Sequence, residues 1–214
     1  MKHSTNTGIS QAPTVYPGSN EVLHVTSMRS RGHKRRQRST RAQAPTTVVE
    51  TGVCNGISTL SILLALQENE SGQLYSIDYP LRADESLDEF RVETFDEYGG
   101  AAIPSDKDPG WIIPTELQSR WSLTVGKSQR ELPRLLAEFD EIDMFIHDSE
   151  HSLPCMLFEF EIAYEWLTTE GIILADDINW NDAFSTFTEV RETVFGRLSH
   201  GVGYMRKGQP VTDT

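Results

Sequence analysis

The sequence predicts a doubly wound α/β fold, in which helices cover both faces of a mostly parallel sheet. From Thr47 onward, short apolar runs alternate with segments of helical periodicity. Some runs, such as Ile172 to Ala175, are apolar at every position, as strands buried on both faces are. Acids follow three of the runs, at Asp78, Asp148 and Asp176. In this fold class, ligands bind at the carboxyl ends of the strands.

The order of elements is that of a Rossmann-like domain with a long insertion. The predicted strands are TVVET (47–51), QLYSID (73–78), SLTV (122–125), IDMFIHD (142–148) and IILADD (172–177), and the predicted helices cover 58–69, about 129–139 and about 155–168. Residues 182–195 have the pattern of a helix, and VGYMRK (202–207) that of a final antiparallel strand at the sheet edge. Residues 79–120 are too long for a simple connection. They are predicted to form either a functional lid or a plain insertion with one helix over about 85–98.

Two local patterns support the helices. Met156, Phe160, Ala163 and Leu167 step by four, three and four residues, which predicts one apolar stripe facing the core. Ser128 and Glu131 have the spacing of a capping box, in which each side chain satisfies a free amide of the first turn.

Length and composition indicate one globular domain. The 214 residues, 37% of them apolar, suffice for a sizeable core. No apolar run approaches the roughly 20 residues of a membrane span, and the N-terminus MKHSTNTGIS has no hydrophobic signal segment. Cys54 and Cys155 lie far apart without metal-type spacing, which fits a reducing compartment. We therefore expect a cytoplasmic protein, and the sequence leaves a homo-oligomer open.

The net charge of −13 is unevenly distributed. Residues 1–45 contain eight Lys and Arg against one Glu, so the remainder, 46–214, is strongly acidic. We expect 1–45 to be a basic, flexible arm and 46–214 to be the folded domain. The run from Arg29 to Arg41 could contact nucleic acid, although an acidic body is a poor binder of phosphate backbones.

The stretch VVETGVCNGIST (48–59) places an acid and two glycines where the first strand passes into the first helix. Glycine permits a sharp turn and a close approach of ligand to backbone. A dinucleotide fingerprint would read G-x-G-x-x-G, whereas Glu50, Gly52 and Gly56 give E-x-G-x-x-x-G. An acid here would repel a pyrophosphate and attract a cationic amine. We expect a cofactor with an amino acid end and a nucleoside end, whose ribose hydroxyls would donate hydrogen bonds to Asp78.

ETGVCNGIST and SIDYP resemble the first two motifs of class I S-adenosylmethionine-dependent methyltransferases. The rest of the chain is similar to one subgroup, Methyltransf_24, which includes catechol O-methyltransferase-like and cephalosporin-hydroxylase-like enzymes. Three further blocks match it in order: GWIIPTELQSRWSLTVGKSQRELPRLL, IDMFIHDSEHS and GIILADDINWNDAF. The likeness covers about residues 46–190, and residues 1–45 have no counterpart.

The resemblance implies S-adenosylmethionine as the cofactor and assigns its site residue by residue. The residues that would line its methionine end and its ribose are Glu50, Gly52, Gly56 and Asp78. Gly126 and Ser128 would flank the adenine, and Asp148 would also contact the cofactor. A purely structural turn is the alternative for the two glycines, and the helix cap is the alternative for Ser128.

Asp148, Asp176 and Asp177 follow two strands that are expected to be neighbours. Three converging carboxylates raise one another's pKa unless a cation is present, and Mg²⁺ prefers such oxygen ligands. In the subgroup that the chain resembles, acids at these places hold a metal that orients the acceptor oxygen. Both Asp176 and Asp177 reach one ion only if the strand ends at Ala175, because adjacent strand residues point oppositely. Otherwise they cap the next helix.

A hydroxyl acceptor must lose its proton to a base. His151 lies where related enzymes carry a general base, and an ordinary histidine pKa of about 6.5 suits that task. Glu150 is the competing base, and a polar helix cap is the alternative role for His151. His147 is expected to be a core histidine.

These patterns predict a methyltransferase, metal-assisted and acting on a hydroxyl of a small molecule. Trp111 and Trp180 are candidate walls of the acceptor pocket, Trp180 being the stronger because it follows the acid pair, whereas Trp121 is more typical of packing. Two alternatives stay open. One is a nucleic-acid methyltransferase that docks through the basic arm, and the other is a non-catalytic nucleoside-binding protein.

Overall fold

A computed structural model of the protein describes residues 45–83, 102–191, 193–198 and 201–208. The described strands are β1 (Thr47–Thr51), β2 (Gln73–Asp78), β3 (Trp121–Val125), β4 (Ile142–His147), β5 (Leu167–Ala175), β6 (Val194–Arg197) and β7 (Gly203–Arg206). The described α-helices are α1 (Ile57–Glu68), α2 (Ser128–Leu136), α3 (Leu153–Trp166) and α4 (Ala183–Glu189), and a 3₁₀ helix covers Thr115–Arg120. The predicted basic arm, except Pro45, and the predicted helix over 85–98 lie outside the described residues.

The strands form one sheet in the order β3-β2-β1-β4-β5-β7-β6. The first five strands are parallel, and β7 runs antiparallel to both β5 and β6. The order of strands reverses between β1 and β4, and in open α/β sheets the crevice at such a reversal is the usual ligand site. The predicted doubly wound α/β fold is therefore confirmed.

The C-terminal part differs from the prediction in two ways. The helix predicted over 182–195 ends at Glu189, and Val194–Arg197 forms strand β6 instead. Arg191 terminates the helical region, because its guanidinium donates to the carbonyl of Phe187 and lies over that ring. Strand β7 is antiparallel as predicted, but it is internal because β6 occupies the edge.

The core lies between the sheet and helices α2, α3 and α4. Its largest fully buried members include Phe145 on β4, Phe160 on α3 and Phe187 on α4. The predicted stripe of Met156, Phe160 and Ala163 is fully buried, as expected. The fourth predicted member, Leu167, is also buried but begins β5, because α3 ends at Trp166.

The predicted capping box at the start of α2 is wrong. Lys127 occupies the N-cap position, and no side chain caps the helix. The Ser128 hydroxyl is 3.8 Å from the Cys155 sulfur, and Glu131 pairs with Arg130 instead. Ser128 is the first residue inside the helix and not the residue before it, and its buried side chain points inward.

The part of the insertion that the structure describes returns to the sheet beside β2. Ile103 donates its amide to the carbonyl of Leu81, and Ala83 donates to the carbonyl of Ile103, at 2.9 and 3.0 Å. These bonds place Ile103 next to the segment that leaves the carboxyl end of β2. None of the helices in the described ranges has the length and apolar character that crossing a membrane requires.

The carboxyl end of α3 is capped by a lysine from the strand beside it. The Lys207 ammonium donates to the carbonyls of Tyr164 and Leu167, at 2.9 and 2.8 Å. We expect Lys207→Met to lower the free energy of unfolding by about 1–2 kcal/mol, because these carbonyls lose a charged donor at the negative end of the helix. Urea denaturation provides the measurement. Lys107→Met is the control, since its ion pair with Asp106 is largely exposed, and equal losses in the two variants would contradict the cap.

Candidate active site

A cleft opens at the carboxyl ends of β1, β2 and β4, where the strand order reverses. Its empty volume is about 670 Å³, including open solvent at its mouth. Its lining residues are Gly52, Cys54, Ile77, Asp78, Tyr79, Pro80, Leu81, Ile103, Gly126, Lys127, Ser128, Gln129, Asp148, Ser149 and Glu150. Five of the residues predicted to bind the cofactor therefore lie together: Gly52, Asp78, Gly126, Ser128 and Asp148.

Gly52 forms the floor between the ends of β1 and β4. Its φ is +86°, and a Cβ built on it would lie 1.9 Å from the carbonyl oxygen of Asp148. The Gly52 amide donates to the carbonyl of Ile77 at 2.9 Å, which ties the turn to β2 as well. No larger residue fits here without moving the end of β4.

Asp78 lies at the tip of β2 and is buried in the cleft wall. Its carboxylate accepts a hydrogen bond from the Cys54 amide at 3.2 Å. Burial raises the pKa of Asp78 to about 6, while backbone amides of Cys54, Val53 and Tyr79 act in the opposite direction. The carboxylate is thus oriented by the turn after β1 and faces the space that a ligand would fill.

Glu50 does not line the cleft, although the sequence analysis placed it against the methionine end. Its side chain is fully buried behind the turn, where one carboxylate oxygen accepts from Ser58 at 2.9 Å. The other oxygen accepts from Thr59 and Ser76, both at 2.8 Å. Glu50 therefore joins the first turn of α1 to β2. Sequence alone does not show this, because an acid at a strand tip gives no indication of which face it points to.

Gly56 is also outside the cleft lining. It has φ +99° at the N-cap of α1, and an added Cβ would lie 2.9 Å from the Cα of Gly110. The insertion reaches the turn at this point, since the Gly110 amide donates to the carbonyl of Cys54 at 2.9 Å. Gly56 is needed for the approach of the insertion.

Gly126 and Ser128 line the far end of the cleft, beyond Asp78. The Gly126 amide donates to the Asp78 carbonyl at 2.8 Å, which fixes the turn after β3 against β2. A Cβ on Gly126 would lie 2.7 Å from the Cγ of Glu131, so this glycine also allows α2 to start close to the strand.

The acids after β4 and β5 are close enough to affect one another. Burial, and then the charge of Asp176, raises the pKa of Asp148 well above its usual range, with Glu50, Asp177 and Asp78 adding to the effect. Burial and Asp176 also raise the pKa of Asp177, which His147 opposes. Strand β5 ends at Ala175, which meets the condition for both Asp176 and Asp177 to face one ion. In the described part of the chain, however, no three acids, histidines or cysteines are arranged as a ready metal site.

His151 is buried beside the cleft and does not line it. Its Nε2 is 4.0 Å from an oxygen of Asp177, and neither ring nitrogen has a hydrogen-bond partner among the described residues. Burial and the charge of His147 lower the pKa of His151 to about 4, although Glu159 opposes this shift. The expectation of an ordinary histidine pKa is therefore wrong, because burial disfavours the charged ring.

Glu150, the competing base, does line the cleft. Its carboxylate accepts from the Ser152 hydroxyl at 2.6 Å, and Ser152 in turn accepts from the Cys155 amide at the start of α3. The side chain is thus held at the cleft wall.

Of the three tryptophans considered for the acceptor pocket, two have hydrogen-bond partners. Trp111 donates to Asn55 at 2.7 Å, and Trp121 donates to Ser76 at 2.9 Å. Trp180 is 44% exposed, and its ring centroid is 4.9 Å from that of His151. Of the three, Trp180 is the one whose ring has a large exposed area beside the acids.

Sequence reasoning missed Glu159, a fully buried acid on α3 that hydrogen-bonds the fully buried His147 at 2.7 Å. His147 is thus in the core, as expected. A signal was present in the sequence, since Glu159 follows Met156 by three residues and so falls within the predicted apolar stripe. An acid at such a position needs buried partners.

A protein-family model described as a methyltransferase domain matches residues 49–178 of this chain, which is more than half of it. The matched range begins within β1 and contains β2, β4 and the whole cleft lining. The chain belongs to this methyltransferase family. It is an S-adenosylmethionine-dependent methyltransferase of class I, as the motifs after β1 and β2 indicated.

Solved structures show the same fold in other methyltransferases. The calicheamicin methyltransferase CalS11 has 15% identity and a TM-score of 0.54, over 89% of this chain and 77% of that one. The O-methyltransferase NovP has 14% identity and a TM-score of 0.56, over 77% and 73%. An O-methyltransferase from Bacillus cereus, in complex with SAH, has 13% identity and a TM-score of 0.52, over 92% and 84%. No curated protein sequence matched the chain.

The Glu50→Gln substitution should remove a pH dependence from the free energy of unfolding of the methyltransferase. Burial raises the pKa of Glu50 to about 7 from its ordinary 4.5, against the hydrogen bonds from three hydroxyls. The folded protein therefore binds this proton more tightly than the unfolded chain does. The stabilisation is complete below the unfolded value and is lost as the pH rises through about 7.

Relative to Glu50→Gln, the wild type should lose roughly 1–3 kcal/mol of stability between about pH 5 and about pH 8. Urea denaturation of both proteins at the two pH values measures this difference. Glu138→Gln, at an exposed position, is the control and should show no comparable change. A constant difference between wild type and Glu50→Gln would contradict the raised pKa.

Proposed function

We propose that the methyltransferase binds S-adenosylmethionine in the cleft and transfers its methyl group to an oxygen of a small molecule. The ribose hydroxyls would donate to Asp78, and the methionine end would lie between Gly52 and Asp148. The adenine would lie beside Gly126 and Ser128. We also propose that the catalytic domain is residues 46–214.

The acidic lining of the cleft is the observation that carries this proposal. Asp78, Asp148 and Glu150 all contribute to its walls, and Lys127 is the one cation among its described lining residues. Such walls would repel a diphosphate, whereas a sulfonium and an ammonium group would be attracted. A bound cation would also offset the repulsion that raises the pKa of Asp148.

The acceptor side is proposed to lie between Asp148 and Trp180. Trp180 presents an exposed ring beside His151, and an aromatic face of this kind suits a planar or apolar acceptor. The excess of acids over bases in 46–214 opposes the binding of a nucleic acid backbone. A small-molecule acceptor therefore fits better than nucleic acid. The basic run that a nucleic-acid enzyme would use lies outside the described residues.

Removal of the acceptor proton is assigned to Glu150, with His151 as the second candidate. Glu150 lines the cleft and is held there by Ser152, whereas His151 lies behind it. A histidine with a pKa of about 4 is neutral at pH 7, but it is a weak base.

We further propose that Asp148, Asp176 and Asp177 hold a Mg²⁺ ion when acceptor and cofactor bind. Beyond the effect of burial, the charge of Asp176 raises the pKa values of both Asp148 and Asp177. Neither Asp148 nor Asp176 is in an ion pair within the described ranges. Carboxylate oxygens are the ligands that Mg²⁺ prefers. When bound, such an ion supplies Lewis acidity that favours the ionised form of an acceptor hydroxyl.

Asp78→Asn should weaken binding of the product S-adenosylhomocysteine about 10-fold or more, because the ribose loses charged acceptors for its hydroxyls. Isothermal titration measures the dissociation constants without any knowledge of the acceptor. Asp140→Asn, at an exposed position after α2, should bind like the wild type. If the wild type itself shows no binding at roughly millimolar ligand, the cofactor site proposed here is wrong.

Mg²⁺ should raise the melting temperature of the wild type with S-adenosylhomocysteine present, by roughly 2–8 °C at saturating ion. Asp176→Asn should abolish most of this rise, because one carboxylate ligand is lost. Differential scanning fluorimetry with Mg²⁺ or with chelator makes the comparison, and Asp140→Asn is again the control. An equal rise in wild type and Asp176→Asn would contradict the metal site while leaving the cofactor site intact.

A further inference from the structure

The cleft floor rests on Glu159, a buried carboxylate that does not line the cleft itself. Glu159 lies on α3, and its side chain is fully buried. One carboxylate oxygen accepts from the Thr51 hydroxyl at 2.6 Å and is 2.7 Å from Nδ1 of His147. The other accepts from the Ser149 hydroxyl at 2.8 Å.

The partners of Glu159 are the last residues before the cleft. Thr51 ends β1 and immediately precedes Gly52, while His147 ends β4 and immediately precedes Asp148. Ser149 is itself part of the lining. One carboxylate therefore fixes the two strand ends from which the cleft floor projects. Any movement of Glu159 is transmitted through a single residue to the ligand-facing backbone.

The chemistry of these contacts requires an ionised carboxylate. Thr51, Ser149 and Nδ1–H of His147 all act as donors, and a carboxylate can accept from all of them. An amide of the same size has one oxygen and one NH₂ group, so it accepts at one end only, and a group that donates to the carboxylate at the other end loses its acceptor there. Burial raises the pKa of Glu159, but His147 and the hydroxyls of Ser128 and Thr51 lower it by more.

We propose that Glu159 is a positioning residue for methyl transfer. It holds Gly52, Asp148 and Ser149 in the geometry that binds the cofactor, and it fixes His147 as the tautomer protonated on Nδ1. The inference rests on the proposed cofactor site. Glu159 does not touch the cofactor, and its effect passes through the ends of β1 and β4.

The test uses Glu159→Gln, which preserves size and removes the acceptor pair. Binding of S-adenosylhomocysteine should weaken roughly 10-fold, because a buried donor is left without an acceptor and the floor shifts. The imidazole nitrogens of His147, observed by ¹H–¹⁵N correlation on labelled protein, should lose the pattern of a pure Nδ1–H tautomer. A residue that merely adds stability would change the melting temperature without altering this tautomer.

Glu165→Gln is the matched control, because Glu165 lies on the same helix at an exposed position. It should bind the ligand as tightly as the wild type and leave the His147 signals unchanged. Thr51→Val is a milder second variant, which removes one donor to Glu159 without changing size. It should weaken binding by a smaller factor, and it keeps the proposal testable if Glu159→Gln does not fold.

The positioning role would be overturned if both Glu159→Gln and Thr51→Val bound S-adenosylhomocysteine with wild-type affinity. If Glu159→Gln does not fold, wild-type affinity in Thr51→Val alone would overturn it. An unchanged His147 tautomer in Glu159→Gln would do the same. Failure of the wild type to bind S-adenosylhomocysteine is a different result, since it would remove the proposed cofactor site itself. The two failures are therefore distinguished by the wild-type titration.

Discussion

The contact between the ends of β1 and β4 is the constraint on which the site depends. The Asp148 amide donates to the carbonyl of Thr51 at 2.9 Å, so the pairing with the last residue of β1 continues one residue beyond the end of β4. A side chain on Gly52 would then collide with the carbonyl of Asp148. Because Gly52 has no side chain, the ends of β1 and β4 stay in contact at the point where they turn away from each other. The cleft opens directly above this point.

The same closeness concentrates negative charge. Asp78 ends β2 and Asp148 follows β4, the two strands on either side of β1. Glu50 is buried behind them, so each carboxylate loses water and faces other acids. Burial raises the pKa values of both Glu50 and Asp78. Charge that is uncompensated in a cleft favours a cationic ligand. S-adenosylmethionine, with a sulfonium and an ammonium group, is such a ligand.

The fold was predictable because burial leaves a direct record in the sequence. Short apolar runs between segments of helical pattern marked the parallel strands, and β1, β2, β3 and β4 agree with the structure to within a residue. Strand β5 begins at Leu167, earlier than the predicted start at Ile172. The error at Val194–Arg197 has a physical cause, since this strand lies at the edge and its side chains are mostly exposed. Such a strand does not show the run of buried apolar residues that marks a central strand. The predicted helix was therefore extended into it.

The sequence predicted the site correctly only for residues whose place in the cleft follows from their position along the backbone. Gly52, Asp78 and Asp148 directly follow or end strands, so topology alone brings them together. Glu50 was placed on the wrong side of the turn, because its direction depends on the hydroxyls of Ser58, Thr59 and Ser76. The pKa of His151 depends on its burial, which a sequence does not give. Both errors concern side-chain surroundings that the strand pattern leaves undetermined.

The acid near the end of β1 and the two glycines that follow the strand therefore make three separate structural contacts possible. Glu50 anchors the first turn of α1, Gly52 admits the end of β4, and Gly56 admits Gly110 of the insertion. One face of the turn borders the cleft, while the other supports the insertion through Cys54 and Asn55. A ligand that displaces the turn must also displace the insertion. The turn after β1 and residues 110–113 are for this reason held together, although no residue of 110–113 lines the cleft.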